Sequence, residues 1–168
     1  LPFGYDHKYV YSHFGYNLKV TDMQAAIGCA QLKKFPDFVE KRKYNHAKLK
    51  SLLKCVEDKI ILPEPCENSS PSWFGFLITC RDGIDRAKVV ESVEKAGIQT
   101  RMLFAGNLLR HPCFDEMRSG KEGYRVVGEL SVTDRIMNDT FWVGVYPGMS
   151  DAMIEYMAES IIGALTRL

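Results

Sequence analysis

The residues of this chain best suited to chemistry lie close together, in Arg101-Met102-Leu103-Phe104-Ala105-Gly106-Asn107-Leu108-Leu109-Arg110-His111-Pro112. Two guanidinium groups, Arg101 and Arg110, bracket the amide of Asn107. Guanidinium carries forked donors that match phosphate or carboxylate, so an anionic ligand is one reading of the cluster. The other is surface ion pairing, with Asn107 capping a helix or turn. A second polar residue stands apart. Asn17 sits between apolar neighbours in Gly15-Tyr16-Asn17-Leu18-Lys19, a turn or extended segment just ahead of a helix start.

No complete catalytic set accompanies these groups. No nucleophile lies beside a base in a suggestive motif, and no GxGxxG, P-loop, HExxH or GxSxG pattern occurs. His7 and His13 are spaced for no compact metal site. The five cysteines (Cys29, Cys55, Cys66, Cys80, Cys113) are odd in number, spread out and free of any CxxC pair. Reduced thiols fit better than a disulfide framework or a zinc site.

Composition narrows the class. With 168 residues, 46% hydrophobic and 26% charged, the chain can bury a core and reads as globular. A net charge of +1 without a basic stripe argues against nucleic acid as the main partner. No apolar run approaches the roughly 20 residues of a membrane span, and no signal peptide is visible. A cytoplasmic location is expected. The start at Leu1-Pro2-Phe3-Gly4, without Met, reads as a piece from inside a longer chain.

Local signals then assign the elements that must position the polar groups. Residues 1–20, rich in Tyr, Phe and His, suit an extended segment lying on another surface. Thr21-x-x-Gln24 is a capping box that opens a helix over 21–34, with Asp22 at the positive end of its dipole. Pro36 has the place of an N1 proline and starts a second helix over 36–56, whose middle, residues 40–46, reads as a solvated face. Residues 57–71, with Pro63, Pro65 and Pro71, form a loop. Residues 73–80 form a strand in which Gly75 marks a bulge or a close approach. Asp85 caps a helix stapled by Ile84 and Val89 and stopped by Gly97. A strand over 98–104 runs into the Arg/Asn/His loop, and strand-end loops are where sites are built. Residues 113–125 hold a short helical turn and a polar loop, residues 126–137 a helix, and residues 140–146 a third strand. Ser150 caps a final amphipathic helix whose methionines serve as core filler. The order points to an α/β (α+β) two-layer domain with a three-stranded, mainly antiparallel sheet. Residues 1–56 would be an extended segment and connecting helices, and 57–168 the small α/β domain.

Gly15-Tyr16-Asn17-Leu18-Lys19-Val20-Thr21-Asp22-Met23-Gln24-Ala25-Ala26 resembles the signature of the DegT/StrS-type sugar aminotransferases. Gly97-Ile98-Gln99-Thr100-Arg101 and Val145-Tyr146-Pro147-Gly148-Met149-Ser150 agree with that family. Three further segments, Leu1–Tyr9, Pro71–Phe76 and Thr100–Leu108, resemble its RfbH-type subgroup, the CDP-4-keto-6-deoxyglucose 3-dehydrases of lipopolysaccharide sugar biosynthesis.

The resemblance implies the small C-terminal domain of a fold-type I, pyridoxal-phosphate enzyme. The family works as a homodimer on nucleotide-linked keto sugars. In its aminotransferases a lysine holds pyridoxal 5'-phosphate. In its dehydrases a histidine replaces that lysine and pyridoxamine 5'-phosphate is used. The RfbH type adds a [2Fe-2S] cluster on cysteines and a separate iron-sulfur/flavin reductase. Both features are expected upstream of Leu1, so no cysteine, His7 or His13 inherits these roles. Asn17 matches the asparagine that reaches a neighbouring subunit's cofactor phosphate. Trp73 and Phe74 match a segment at the active-site mouth, and Arg101, Asn107 and Arg110 match the loop near a CDP-linked 4-keto-6-deoxy sugar. The expected function is a 3-dehydrase making 3,6-dideoxyhexoses for O-antigen, of which this part alone would be inactive. The alternatives are a nucleotide-sugar aminotransferase and a stand-alone α/β binding or dimerisation module.

Overall fold

Alternation along two central strands builds the core. The computed structural model describes residues 13–16 and 18–167, and the readings of residues 1–12, His7 and Asn17 lie outside them. Strand β2 (Gly75–Cys80) pairs antiparallel with β4 (Thr140–Gly144), Phe76 opposite Val143 and Ile78 opposite Phe141. These four side chains are fully buried on one face. On that face lie Val89 and Val93 of α2 (Arg86–Lys95) and Ile154, Ala158, Ile161 and Leu165 of α5 (Asp151–Thr166). Strand β3 (Thr100–Met102) adds to the far side of β4. Both helices begin at their expected caps: Asp85 accepts from the N–H of Ala87 and Lys88, and Ser150 from that of Met153.

Among the described residues the sheet has four strands, not three. Strand β1 (Ile60–Ile61) pairs antiparallel with Cys80 and Thr79, giving the order β1-β2-β4-β3. Two residues carry no alternation of their own, so the prolines around them dominate the local signal.

Three other expectations need correction. Helix α1 runs unbroken from Asp22 to Leu53 with Pro36 inside it. A proline removes one helical hydrogen bond and crowds the preceding turn. Here the reciprocal Thr21/Gln24 cap secures one end, while Asn45, His46, Leu49 and Leu53 are buried near the other. The expected solvated face over 40–46 is thus interrupted by Asn45, whose side-chain N–H donates to the Tyr146 carbonyl at 2.8 Å, and by His46. The helix expected over 126–137 is α4, Ser131–Asp139. Gly128 has φ +71°, outside the right-handed helical region, and delays its start. The short α3 spans Asp115–Gly120.

The described residues divide into two compact units between Phe35 and Pro36. In the first, the capped start of α1 leaves Met23, Ile27 and Leu32 exposed. The second contains the whole hydrophobic core, including Leu49 and Leu53.

His46 is buried against the rings of Trp73 and Phe76, each at 4.7 Å, and its Nε2 has no hydrogen-bond partner. Burial, and secondarily the charge of Lys50, holds its pKa below the ordinary value of 6.5. Above that value the ring is neutral in both the folded and unfolded states. Below it the unfolded chain takes up the proton first, so stability falls with pH until the folded ring titrates too. In denaturant titrations of the full-length protein, the stability lost below pH 6.5 should shrink in His46→Phe. An unchanged pH profile would remove His46 as its source. Leu49→Ala, at a site with no exposure, should cost about 2–5 kcal/mol in the same titration.

Candidate functional site

The face of the sheet opposite α2 and α5 presents an aromatic wall. Its central row is Leu77, Trp142 and Arg101, register partners across β2, β4 and β3. Next to this row two glycines face each other, Gly75 and Gly144. Trp142 lies over the first: a Cβ on Gly75 would meet its Cε3 at 2.7 Å. Gly75 therefore marks a close approach, not a bulge. The Trp142 indole N–H donates to the Met102 carbonyl at 3.1 Å, which ties the ring to the edge strand. Phe74 meets Trp142 edge-on, with centroids 5.4 Å apart and planes at 88°, a favourable aromatic geometry. The Phe104 ring lies 6.3 Å from that of Trp142, tilted at 47°. With Trp73, Leu77 and Leu103 these rings enclose a recess of about 200 Å³.

The loop after β3 is held by α4. Asn107 is buried; its side-chain N–H donates to Asp134 Oδ1 at 2.7 Å, and its oxygen caps Leu109 N at 3.1 Å. Arg110 grips the same carboxylate with Nε at 3.2 Å and Nη2 at 2.6 Å. These bonds, Arg110 first and then Asn107, hold the Asp134 carboxyl below the usual carboxylate range. Gly106, at φ +58°, leaves no room for a side chain, because a Cβ there would lie 2.7 Å from Met137 Cγ. Of the two readings of the cluster, ion pairing with an Asn107 cap describes Asn107 and Arg110 in this structure.

Arg101 differs. It donates to the Thr100 carbonyl at 2.9 Å, and the Gln99 amide oxygen, correctly oriented, faces its Nη1 and Nη2 at 3.2 and 3.0 Å. No carboxylate pairs with it among the described residues. The structure thus brings Trp73, Phe74 and Arg101 around one face and ties Asn107 and Arg110 to Asp134 beside it. Asn17 lies outside the described residues; its flanking residues Tyr16 and Leu18 are exposed. Trp142 and Asp134 contact the candidate residues, Phe104 lines the recess with Trp73 and Phe74, and none of the three was marked by the sequence reading. Trp142 was legible from alternation, since Phe141 and Val143 point inward. Asp134 was not, because its partners lie more than twenty residues away.

Among the described residues no group of three or more His, Cys, Asp or Glu could hold a metal ion. Cys29, Cys55, Cys66 and Cys113 are exposed, and burial pushes the Cys80 thiol up to about 11. No described helix is long and apolar enough to cross a membrane.

Trp73 and Trp142 are the chain's two tryptophans, so indole fluorescence reports on this wall. Gly75→Ala should displace Trp142, shift its emission and cost about 1–3 kcal/mol through overpacking. An unaltered spectrum and denaturation midpoint would show that the ring is not seated on Gly75.

The model of the DegT/DnrJ/EryC1/StrS aminotransferase family matches residues 2–162. The lipopolysaccharide biosynthesis protein RfbH of Salmonella typhimurium is 54% identical over 94% of this chain and 35% of its own length. The dTDP-4-dehydro-2,6-dideoxy-D-glucose 3-dehydratase of Saccharopolyspora spinosa is 47% identical over 96% of this chain and 34% of its own. A solved GDP-4-keto-6-deoxymannose-3-dehydratase with a trapped PLP-glutamate geminal diamine superposes with a TM-score of 0.77 at 26% identity, covering 92% of this chain and 39% of that one. The chain therefore spans about a third of the length of these relatives, and its antiparallel sheet corresponds to the C-terminal region of fold-type I enzymes. The chain belongs to the DegT/DnrJ/EryC1/StrS aminotransferase family.

Proposed function

We propose that this chain is the C-terminal part of a pyridoxamine-phosphate-dependent nucleotide-sugar 3-dehydrase acting on CDP-4-keto-6-deoxyglucose, in the route to 3,6-dideoxyhexoses of O-antigen. The observation that carries the reading is its high identity, over nearly all its length, to RfbH and to a protein named as a nucleotide-sugar 3-dehydratase. Two aminotransferases among its relatives are 23% and 28% identical.

In this reading the enzyme is a homodimer, and the residue at the cofactor's amine and the [2Fe-2S] cysteines lie outside this chain. When bound, the cofactor supplies an electron sink for loss of the C3 hydroxyl. A separate iron-sulfur/flavin reductase supplies the electrons that complete deoxygenation. The residues of this chain bind and orient. Asn17 donates its amide N–H to the cofactor phosphate of the neighbouring subunit. Arg101, without a carboxylate partner among the described residues, offers paired N–H donors to the anionic part of the sugar nucleotide. Trp73 and Phe74 wall the mouth and exclude water. Asn107 and Arg110 serve the same substrate by folding the loop that follows Arg101 through their shared bonds to Asp134.

The test is product analysis with the full-length protein. With pyridoxamine phosphate, CDP-4-keto-6-deoxyglucose should lose its C3 hydroxyl. Formation of a CDP-amino sugar from an amino donor, with no dehydration, would overturn the reading in favour of transamination. In that protein Asn17→Ala should weaken retention of pyridoxamine phosphate by about 1–3 kcal/mol, the cost of an unmet phosphate partner. Equal cofactor affinity in dialysis would take Asn17 out of the site.

A further inference from the structure

Trp73 also lines a second recess, bounded by the buried half of α1, that does not include Arg101. It measures about 280 Å³, just under the roughly 300–1,000 Å³ of organic-ligand sites. One side is α1, through Lys43, His46 and Lys50, whose spacing of three and four residues puts them on one helix face. The other side is the segment ahead of β2, through Pro63, Pro65 and Pro71.

Three observations suit this recess to an anion. The first is charge. Its lining contains two lysines and no carboxylate. The acids that pair with them stand outside: Glu40 lies 3.3 Å from Lys43 and Glu64 lies 2.5 Å from Lys50, and these carboxylates are 74% and 73% exposed against 33% and 20% for the lysines. Ion pairs with so exposed a partner hold weakly, so both ammonium groups can turn to an anion between them. The second is an unmet nitrogen. Among the described residues two buried side-chain atoms lack a hydrogen-bond partner, His46 Nε2 and Arg42 Nε, one turn apart on α1. Buried polar atoms are nearly always paired. Burial and the charge of Lys50 keep the His46 ring neutral at neutral pH, and in the tautomer with its proton on Nε2 that atom is a donor in want of an acceptor. The third is rigidity. Three prolines fix the backbone of the facing wall, which lowers the ordering cost of binding.

The donors around the recess are two ammonium groups, an imidazole N–H and the hydroxyl of Ser70. A halide meets them with one atom and a carboxylate with two in one plane, whereas a tetrahedral oxyanion offers an oxygen to each. We infer that the recess between α1 and residues 63–71 binds a phosphate group through Lys43, His46 and Lys50. The volume suits such an ion with a few waters, each about 30 Å³, and not a nucleotide. A free phosphate ion and the phosphate of a small ester share this chemistry. The inference does not rest on the function proposed above, and the site is separate from the residues assigned there to cofactor and substrate, Trp73 excepted.

The experiment is titration calorimetry with inorganic phosphate on the full-length protein, loaded with pyridoxamine phosphate and dialysed so that any cofactor phosphate site is already filled, at ionic strength held constant with chloride. The parent should show one saturable phosphate site per chain. The double variant Lys43→Gln, Lys50→Gln should bind about tenfold more weakly or worse, and His46→Phe, which keeps a ring in the same packing but no nitrogen, should weaken binding as well. Lys48→Gln removes a cation of the same helix that pairs with Asp151 and Glu155 and does not line the recess, and should stay within about twofold of the parent. Circular dichroism reports that each variant is folded. No saturable phosphate binding by the parent, or affinity within about twofold of it in the folded double variant, overturns the inference. Equal weakening in Lys48→Gln overturns it too, since that is general charge attraction and not a site. Glycerol phosphate separates the two sources: tighter binding than inorganic phosphate supports the site with an ester as its occupant, and weaker binding supports it with a free ion. The readout is binding alone, so the presence or absence of dehydration by the parent tests the proposed function and leaves this site untouched.

Discussion

The antiparallel pairing of β2 with β4 organises everything else in this unit. One register sends Phe76, Ile78, Phe141 and Val143 into the core and Leu77 and Trp142 outward. A slip of one residue would exchange the two sets and lose both at once. Burial of the inner set against α2 and α5 specifies the register, and the outer row inherits its position from that choice. Gly75 and Gly144 are the same constraint seen from outside. One accommodates the Trp142 ring, and the other leaves the backbone bare.

From that row the polar groups divide by what lies within reach. Arg110 and Asn107 meet Asp134 of α4, and three hydrogen bonds to one carboxylate make a rigid loop. Such a network commits its donors. Arg101 is on the edge strand opposite Trp142, beyond the reach of Asp134, and keeps most of its donor capacity. Chemically similar residues a few positions apart thus take different duties, a scaffold for one pair and availability for the other.

Much of the fold was legible locally. The caps at Thr21, Asp85 and Ser150 are short-range side-chain-to-backbone devices and stand where the pattern predicted. The three expected strands were legible from aromatic and β-branched content, although each is shorter than its apolar run: residues 98–104 contribute only Thr100–Met102, at the sheet's edge. The failures share a cause. Pro36 argued for a break, and α1 continues across it. Ile60–Ile61 carried no strand signal and became one through Cys80 and Thr79. Asn45 and His46 read as solvated and are buried through contacts to Tyr146, Trp73 and Phe76. In each case a partner distant in sequence outweighed the local preference.

The sequence by itself determined the family, through motifs spread over nearly the whole chain, and the helix starts, because a cap depends only on residues three or four positions apart. It also singled out Arg101, Asn107 and Arg110 as chemically able to hold an anion. Only the tertiary structure decided which of them is available, since ion pairing depends on the distance to Asp134 and not on residue type. It likewise decided that Gly75 is the seat of an indole ring while Gly144 faces open space. Those are facts about what faces a backbone across space, and a glycine's letter is the same in both places.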